Sequence, residues 1–232
     1  MLSLGIITKP CLMNHNLTEI AYILDRSGSM QPMVEPAIAG FNQFLREQQE
    51  APSSARLTLV LFDGEYLVPC DGLPIEEVVE LDTTTYVPRG STALLDAIGR
   101  TITELGKRLA ATPETDRPGQ VIIAIFTDAY ENASRHFDLH KINDLITHQR
   151  ENYNWQFLFL AANQDAIATA AQMGIDRQFS SVVQYSAKGV HSTSSSLSRK
   201  MRAMRHHAST GEELPDLAAP MQEIVEEEQE KD

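Results

Sequence analysis

The chain has 232 residues, 42% of them hydrophobic and 22% charged, with a net charge of −13 at pH 7. That length suffices for one α/β domain with a well-buried core and some appendages. No dominant basic face accompanies the acidic balance, so nucleic acid is not an expected partner. The longest apolar run, Val121 to Phe126, is far too short to cross a bilayer, so no membrane is expected either.

Met1 to Leu12 is mildly apolar but has no basic segment ahead of it, and Lys9 and Pro10 interrupt it. It does not read as a signal peptide, and Met13 is an alternative start. Residues 1–17 are taken as an N-terminal leader. Cys11 and Cys70 lack metal-ligand spacing, and a disulfide framework is not expected. That favours a reducing, cytoplasmic setting.

Strand-like and helix-like segments then alternate. Ile20 to Leu24 is a first strand, and Val34, Ala37, Ile38, Phe41, Phe44 and Leu45 follow at helical spacing. Leu57 to Phe62 is a second strand. The Asp63-Gly64 turn sends Glu65 to Val68 back antiparallel as an edge strand, with a short helix at Ile75 to Val79. Leu94, Leu95, Ile98, Ile102, Leu105 and Leu109 make a long amphipathic helix, and Thr112 to Gly119 a surface loop.

Val121 to Phe126 reads as a strand buried on both faces. A helix marked by Ile142, Leu145 and Ile146 follows, then a strand at Trp155 to Ala161 and a helix at Ala166 to Met173, closed by Gly174. Phe179 to Tyr185 is a last strand. The alternation predicts an α/β fold with a mainly parallel sheet over residues 18–187.

Charge is unevenly spread beyond that point. Residues 188–208 are Ser-rich and basic, with Ser192 to Ser198 capping a final helix into Arg199 to His207. The plain reading of the basic stretch is a solvated helix end; binding to a phosphate-rich surface or to the chain's own tail are the alternatives. Residues 209–232 hold nine acidic residues against one lysine, two prolines and few large apolar side chains, and are expected to be disordered.

The informative segment is Asp25-Arg26-Ser27-Gly28-Ser29, directly after the first strand. In open α/β sheets, loops at the carboxyl ends of strands bind ligands. This loop offers a carboxylate and two hydroxyls. Thr92, in Arg89-Gly90-Ser91-Thr92, opens the long helix, and Asp128 follows the buried strand in Phe126-Thr127-Asp128. Three hydroxyls and two water-bridged carboxylates suit a hard divalent cation. Each segment alone would serve equally well as a helix cap.

Together they resemble the metal-ion-dependent adhesion site of von Willebrand factor type A (VWA) domains. The resemblance covers roughly Glu19 to Tyr185. It implies a Rossmann-like, doubly wound, mainly parallel six-stranded sheet with one antiparallel edge strand and helices on both faces. It also implies that Ser27, Ser29 and Thr92 ligate the ion, that Asp25 and Asp128 act mostly through water, and that a partner protein supplies a Glu or Asp. Mg²⁺ is the expected metal, with Mn²⁺ or Ca²⁺ as substitutes.

Bacterial and phage single-domain members are similar over Leu24-Asp25-Arg26-Ser27-Gly28-Ser29-Met30, over Pro88-Arg89-Gly90-Ser91-Thr92-Ala93-Leu94-Leu95-Asp96 and over Ala162-Asn163-Gln164-Asp165. Ala129 departs from the glycine that many members carry. The resemblance suggests an AAA+ ATPase as partner.

Other rim residues have competing readings. Asn163, Gln164 and Asp165 fit helix capping. Tyr130, Glu131 and Asn132 either touch a partner or form the loop, and Arg89 either steers an acidic partner or is solvated. Glu226 to Glu230 are candidates to enter the ion site of a second copy of the chain. The expected function is metal-dependent protein binding, as adaptor or assembly factor, without catalysis. Two alternatives are a Mg²⁺-dependent phosphoryl-transfer hydrolase with Asp25 as nucleophile, and a structural assembly component with a vestigial ion site. The enzyme reading lacks a second aspartate at Ser27, a Walker-type loop and a Gly-x-Ser-x-Gly elbow.

Overall fold

The computed structural model describes residues 13–128, 131–162, 164–184 and 186–231, and the side chains of all of these except 164–166. The leader up to residue 12, and with it the choice between Met1 and Met13, lies outside the described residues.

Six strands form one sheet: β1 (Asn14–Asp25), β2 (Ser54–Phe62), β3 (Tyr66–Pro74), β4 (Pro118–Thr127), β5 (Gln156–Ala161) and β6 (Ser180–Val182). Their order is β3-β2-β1-β4-β5-β6. All neighbours are parallel except the β2–β3 pair, as expected. The chain winds outward from β1 to β2 in one direction and from β4 to β5 in the other. The switch point therefore falls between the carboxyl ends of β1 and β4, where such sheets open a crevice.

Among the described residues seven α-helices accompany the sheet: α1 (Val34–Gln49), α2 (Leu94–Ala111), α3 (Leu139–Tyr153), α4 (Gln164–Gln172), α5 (Ala187–Thr210), α6 (Pro215–Ala218) and α7 (Met221–Lys231). Side chains alternate across a strand, and β1 shows it. Ile20, Tyr22 and Leu24 enter one core with α1, α5 and α7, whereas Ala21 and Ile23 enter the other with α2, α3 and α4. On the first face Tyr22 packs edge-on to Phe41, with ring centroids 5.3 Å apart. Among the described residues no helix is long and apolar enough to cross a membrane.

Several boundaries differ from the sequence reading. Residues 14–17, assigned to the leader, are the first part of β1; Asn14 already pairs with Pro118 and Leu17 with Ser54. β3 runs on to Pro74 through Pro69, which is tolerated because an edge strand needs no outward-facing donor. The helix expected at Ile75 to Val79 is a single 3₁₀ turn, Ile75–Glu77.

The largest corrections concern the C-terminal quarter. The basic stretch is not a solvated helix end: Lys200 and Arg205 are each 1% exposed. Arg205 Nη1 donates to the Gln48 carbonyl at 2.8 Å and to Gln48 Oε1 at 2.9 Å, tying α5 to α1. Burial lowers its guanidinium to about 10.

The acidic tail, expected to be disordered, instead forms α6 and α7, packed against α5 and, for α7, against β6 as well. Met221, Ile224 and Val225 fall at helical spacing and are buried there. Arg199 pairs with Asp216 at 2.7 Å, Glu227 at 2.9 Å and Glu228 at 2.6 Å. Lys200 Nζ donates to the carbonyls of Asp216, Leu217 and Ala219 at 2.7–3.0 Å. Composition signals disorder, but three apolar residues on one face and a basic helix opposite supply both the burial and the counter-charge.

Candidate metal centre

β1 ends at Asp25 and β4 at Thr127, so parallel pairing sets these two side by side at the switch point. Thr127 Oγ1 donates to Asp25 Oδ2 at 2.5 Å, and the Ser27 amide donates to Asp25 Oδ1 at 2.7 Å. Tyr86, fully buried, donates its hydroxyl to the Asp25 carbonyl at 2.6 Å. Burial pushes the Asp25 carboxyl up to about 6. The Thr127 and Ser27 hydrogen bonds oppose that rise, and the Asp128 charge adds to it.

The backbone after Asp25 turns at Ser27 into a 3₁₀ turn, Gly28–Met33. Ser27 Oγ and Ser29 Oγ then lie 3.0 Å apart, and Ser29 Oγ donates to Asp128 Oδ1 at 2.9 Å. Asp25, Ser27, Ser29 and Asp128 are thus joined in one hydrogen-bonded group. Octahedral Mg²⁺ with bonds of 2.0–2.1 Å would set adjacent ligand oxygens about 2.9 Å apart. The serine–serine separation matches that edge, so the two hydroxyls fit neighbouring positions on such an ion, with Asp128 beside them. Among the described residues no group of three His, Cys, Asp or Glu side chains forms a metal cluster of the ordinary kind. Any ion here would rest on hydroxyls as much as on carboxylates.

The loop that carries Thr92 is laid directly against this group. Gly28 N donates to the Gly90 carbonyl at 3.2 Å, and Arg89 N to the Arg26 carbonyl at 2.9 Å. A Cβ on Gly28 would stand 3.2 Å from that Gly90 carbonyl, and Gly90 has φ of +66°, so both glycines serve this close approach. Thr92 is 2% exposed; its amide donates to Asn132 Oδ1 at 2.9 Å.

A charge network closes the rim beside β2. Arg26, almost fully buried, approaches Asp63 Oδ2 at 3.1 Å, and Arg89 Nε donates to the same oxygen at 3.0 Å. Arg89 also contacts Glu65. Two arginines and two carboxylates balance, so the network holds the loops carrying Ser27 and Thr92 without adding net charge. Arg89 is accordingly half exposed but ion-paired, and not an unpaired steering charge.

Sequence reading overlooked Thr127, Tyr86, Arg26 and Asp63. Thr127 was recoverable, because the residue that ends a parallel neighbour of β1 must face Asp25. Tyr86 and Asp63 carry no such signal. Glu131 and Asn132 turn out to shape the loop, while Ala129, Tyr130, Asn163 and the side chains of Gln164 and Asp165 lie outside the described residues.

The segment before Tyr86 makes a testable contribution. Asp82 accepts from the amides of Thr84 and Thr85 and from both their hydroxyls at 2.7–3.0 Å. These bonds hold its carboxyl down at about 2. A depressed carboxyl stabilises the fold above its ordinary range and loses that contribution as pH falls through about 2. Side-chain NMR titration should show Asp82 protonating well after the other exposed carboxylates; a midpoint near 4, the ordinary aspartate value, would dissolve this turn.

No family model and no curated protein matches the sequence. Solved structures do. The chain is similar to proximal thread matrix protein 1 from the mussel byssus, with 12% identity and a TM-score of 0.56, covering 80% of this chain and 46% of that one. It is similar to a von Willebrand factor type A protein from Catenulispora acidiphila at 14% identity and a TM-score of 0.50, covering 83% and 42%. It is also similar to the manganese-loaded Plasmodium vivax TRAP protein at 14% identity and a TM-score of 0.53, covering 74% and 70%.

The chain therefore spans less than half the length of the first two of these structures. At such identities the likeness establishes the fold: a mixed six-stranded sheet flanked by helices, of the VWA type.

Proposed function

We propose that this chain is a divalent-cation-dependent protein-binding module whose ion recruits an acidic side chain from a partner. The observation that carries the reading is the hydrogen-bonded group of Ser27, Ser29, Asp25 and Asp128 at the sheet's switch point, in which the two serine hydroxyls are spaced like neighbouring ligands of an octahedral ion. Ser27, Ser29 and Thr92 would hold the ion directly, with Asp25 and Asp128 behind water. Mg²⁺ suits so compact an oxygen set, with Mn²⁺ or Ca²⁺ as substitutes.

The bound ion supplies positive charge that neutral hydroxyls leave largely uncompensated, so a carboxylate from outside gains a strong attraction. The chain's own residues supply rigidity. Thr127 and the Ser27 amide fix Asp25, Tyr86 fixes its carbonyl, and the Arg26–Asp63–Arg89 network fixes the two loops. Without the ion, Asp25 and Asp128 present negative charge to an acidic partner and repel it.

Binding rather than catalysis is favoured by the state of Asp25. Its carboxylate is buried and engaged on both oxygens, by Thr127 and by the Ser27 amide, which ill suits a nucleophile. An AAA+ ATPase and a second copy of the chain are candidate partners, in a cytoplasmic setting. For the second copy, Arg199 already engages Glu227 and Glu228, which leaves the exposed Glu226 and Glu230 as acids to offer.

The test is capture from a host lysate by the intact chain with Mg²⁺, by the same chain in EDTA, and by Asp128→Ala with Mg²⁺. A protein retained in the first arm and lost from the other two is the expected result. Identical captures in all three arms would remove the metal from the function.

A further inference from the structure

The first amides of a helix have no acceptor within it and normally rely on a side chain just ahead. α2 begins at Leu94 behind Ala93, which has no side-chain oxygen to accept from those amides. Its caps come instead from the loop after β4. Leu95 N donates to Glu131 Oε2 and Asp96 N to Ser134 Oγ, both at 2.9 Å. Thr92 N donates to Asn132 Oδ1 at 2.9 Å. The exchange is reciprocal. Asp96 accepts the amides of residues 135, 136 and 137 at 2.8–2.9 Å, and the Thr92 carbonyl accepts those of Asn132 and Ala133 at 3.1 Å.

Two features make this more than a helix cap. Glu131 is three positions after Asp128 in the sequence, so the segment that grips Thr92 is the one that follows Asp128 along the chain. Thr92 is also gripped on both sides of its backbone, by the Asn132 side chain at its amide and the Asn132 amide at its carbonyl. A β-branched residue with its backbone so held has few χ1 positions open to it, so this loop limits where the Thr92 hydroxyl can stand.

We infer that Asn132 is a positioning residue for the cation site: it sets the Thr92 hydroxyl relative to Asp128 without itself ligating the ion. The inference rests on the metal reading above. Its test is Mn²⁺ titration of the full chain, with free Mn²⁺ followed by EPR, beside thermal melting in EDTA. Asn132→Ala should weaken Mn²⁺ binding about ten- to a hundredfold, the range seen when groups that orient metal ligands are removed. Asn132→Asp keeps an oxygen opposite the Thr92 amide and should restore binding.

A structural role alone would lower the melting temperature of Asn132→Ala and leave Mn²⁺ affinity of the folded chain unchanged; that pattern overturns the inference. Should Asn132→Ala fail to fold, Glu131→Gln, which withdraws the carboxylate holding the amides of Ala133 and Ser134, must weaken Mn²⁺ in the same direction. Mn²⁺ binding absent from the unmodified chain would refute the metal reading and this inference with it. Binding present and insensitive to both variants refutes the inference alone.

Discussion

Replacing Ser27 and Ser29 together by alanine is expected to lower Mn²⁺ or Mg²⁺ affinity about a thousandfold in isothermal titration. Each hydroxyl facing a cation contributes about 2 kcal/mol or more, and 1.4 kcal/mol is a factor of ten. The fold should survive. Asp25 keeps its bonds from the Ser27 amide and from Thr127, neither of which needs a serine hydroxyl. The double variant should therefore melt within a few degrees of the parent in EDTA. Equal metal affinity in parent and variant would mean that these hydroxyls converge for a purely structural reason, namely tying the 3₁₀ turn to Asp128.

Removing residues 212–232 should cost the chain much of its stability. The burial of Met221, Ile224 and Val225 would be lost with the segment, at about 1.5–3 kcal/mol for each fully buried side chain. That is about 5 kcal/mol or more before any polar contact is counted, against a typical domain stability of 5–15 kcal/mol. Arg199 would lose three carboxylate partners and Lys200 three carbonyl acceptors. Lys200 is the graver loss, since burial already disfavours its charged form. Urea unfolding should show a sharply lower midpoint or no cooperative transition; an unchanged midpoint would mean that α7 adds nothing to the core.

The two predictions touch regions of opposite legibility. The sheet was readable because its strands are bounded apolar runs with few competing periods, and because the Asp63-Gly64 turn announces the reversal into β3. Asp25, Ser27, Ser29 and Asp128 were readable because ligand loops sit in fixed relation to strand ends. Their convergence follows from parallel register: Leu24 pairs with Phe126, so the residues just beyond must meet.

What escaped reading depends on contacts distant in sequence. Tyr86 reaches Asp25 across sixty-one positions, and the caps of α2 come from residues about forty positions away. The tail escaped because mean composition is blind to the placement of three apolar side chains on one helical face. Its salt-bridge partners lie on α5, in a stretch that looks solvated when taken alone.

The glutamine at the start of α7 has a further consequence. Gln222 Oε1 accepts from the Val182 amide at 3.1 Å and from Ser181 Oγ at 2.9 Å, and so occupies a donor on the margin of the sheet at β6. The opposite margin, β3, is defended by Pro69, Pro74 and an irregular register. The two borders are thus guarded unequally, one by covalent chemistry and one by a packed helix. Stress that loosens α7 first would open a template for intermolecular strand addition at β6, and clumping of partly melted chains should begin on that side.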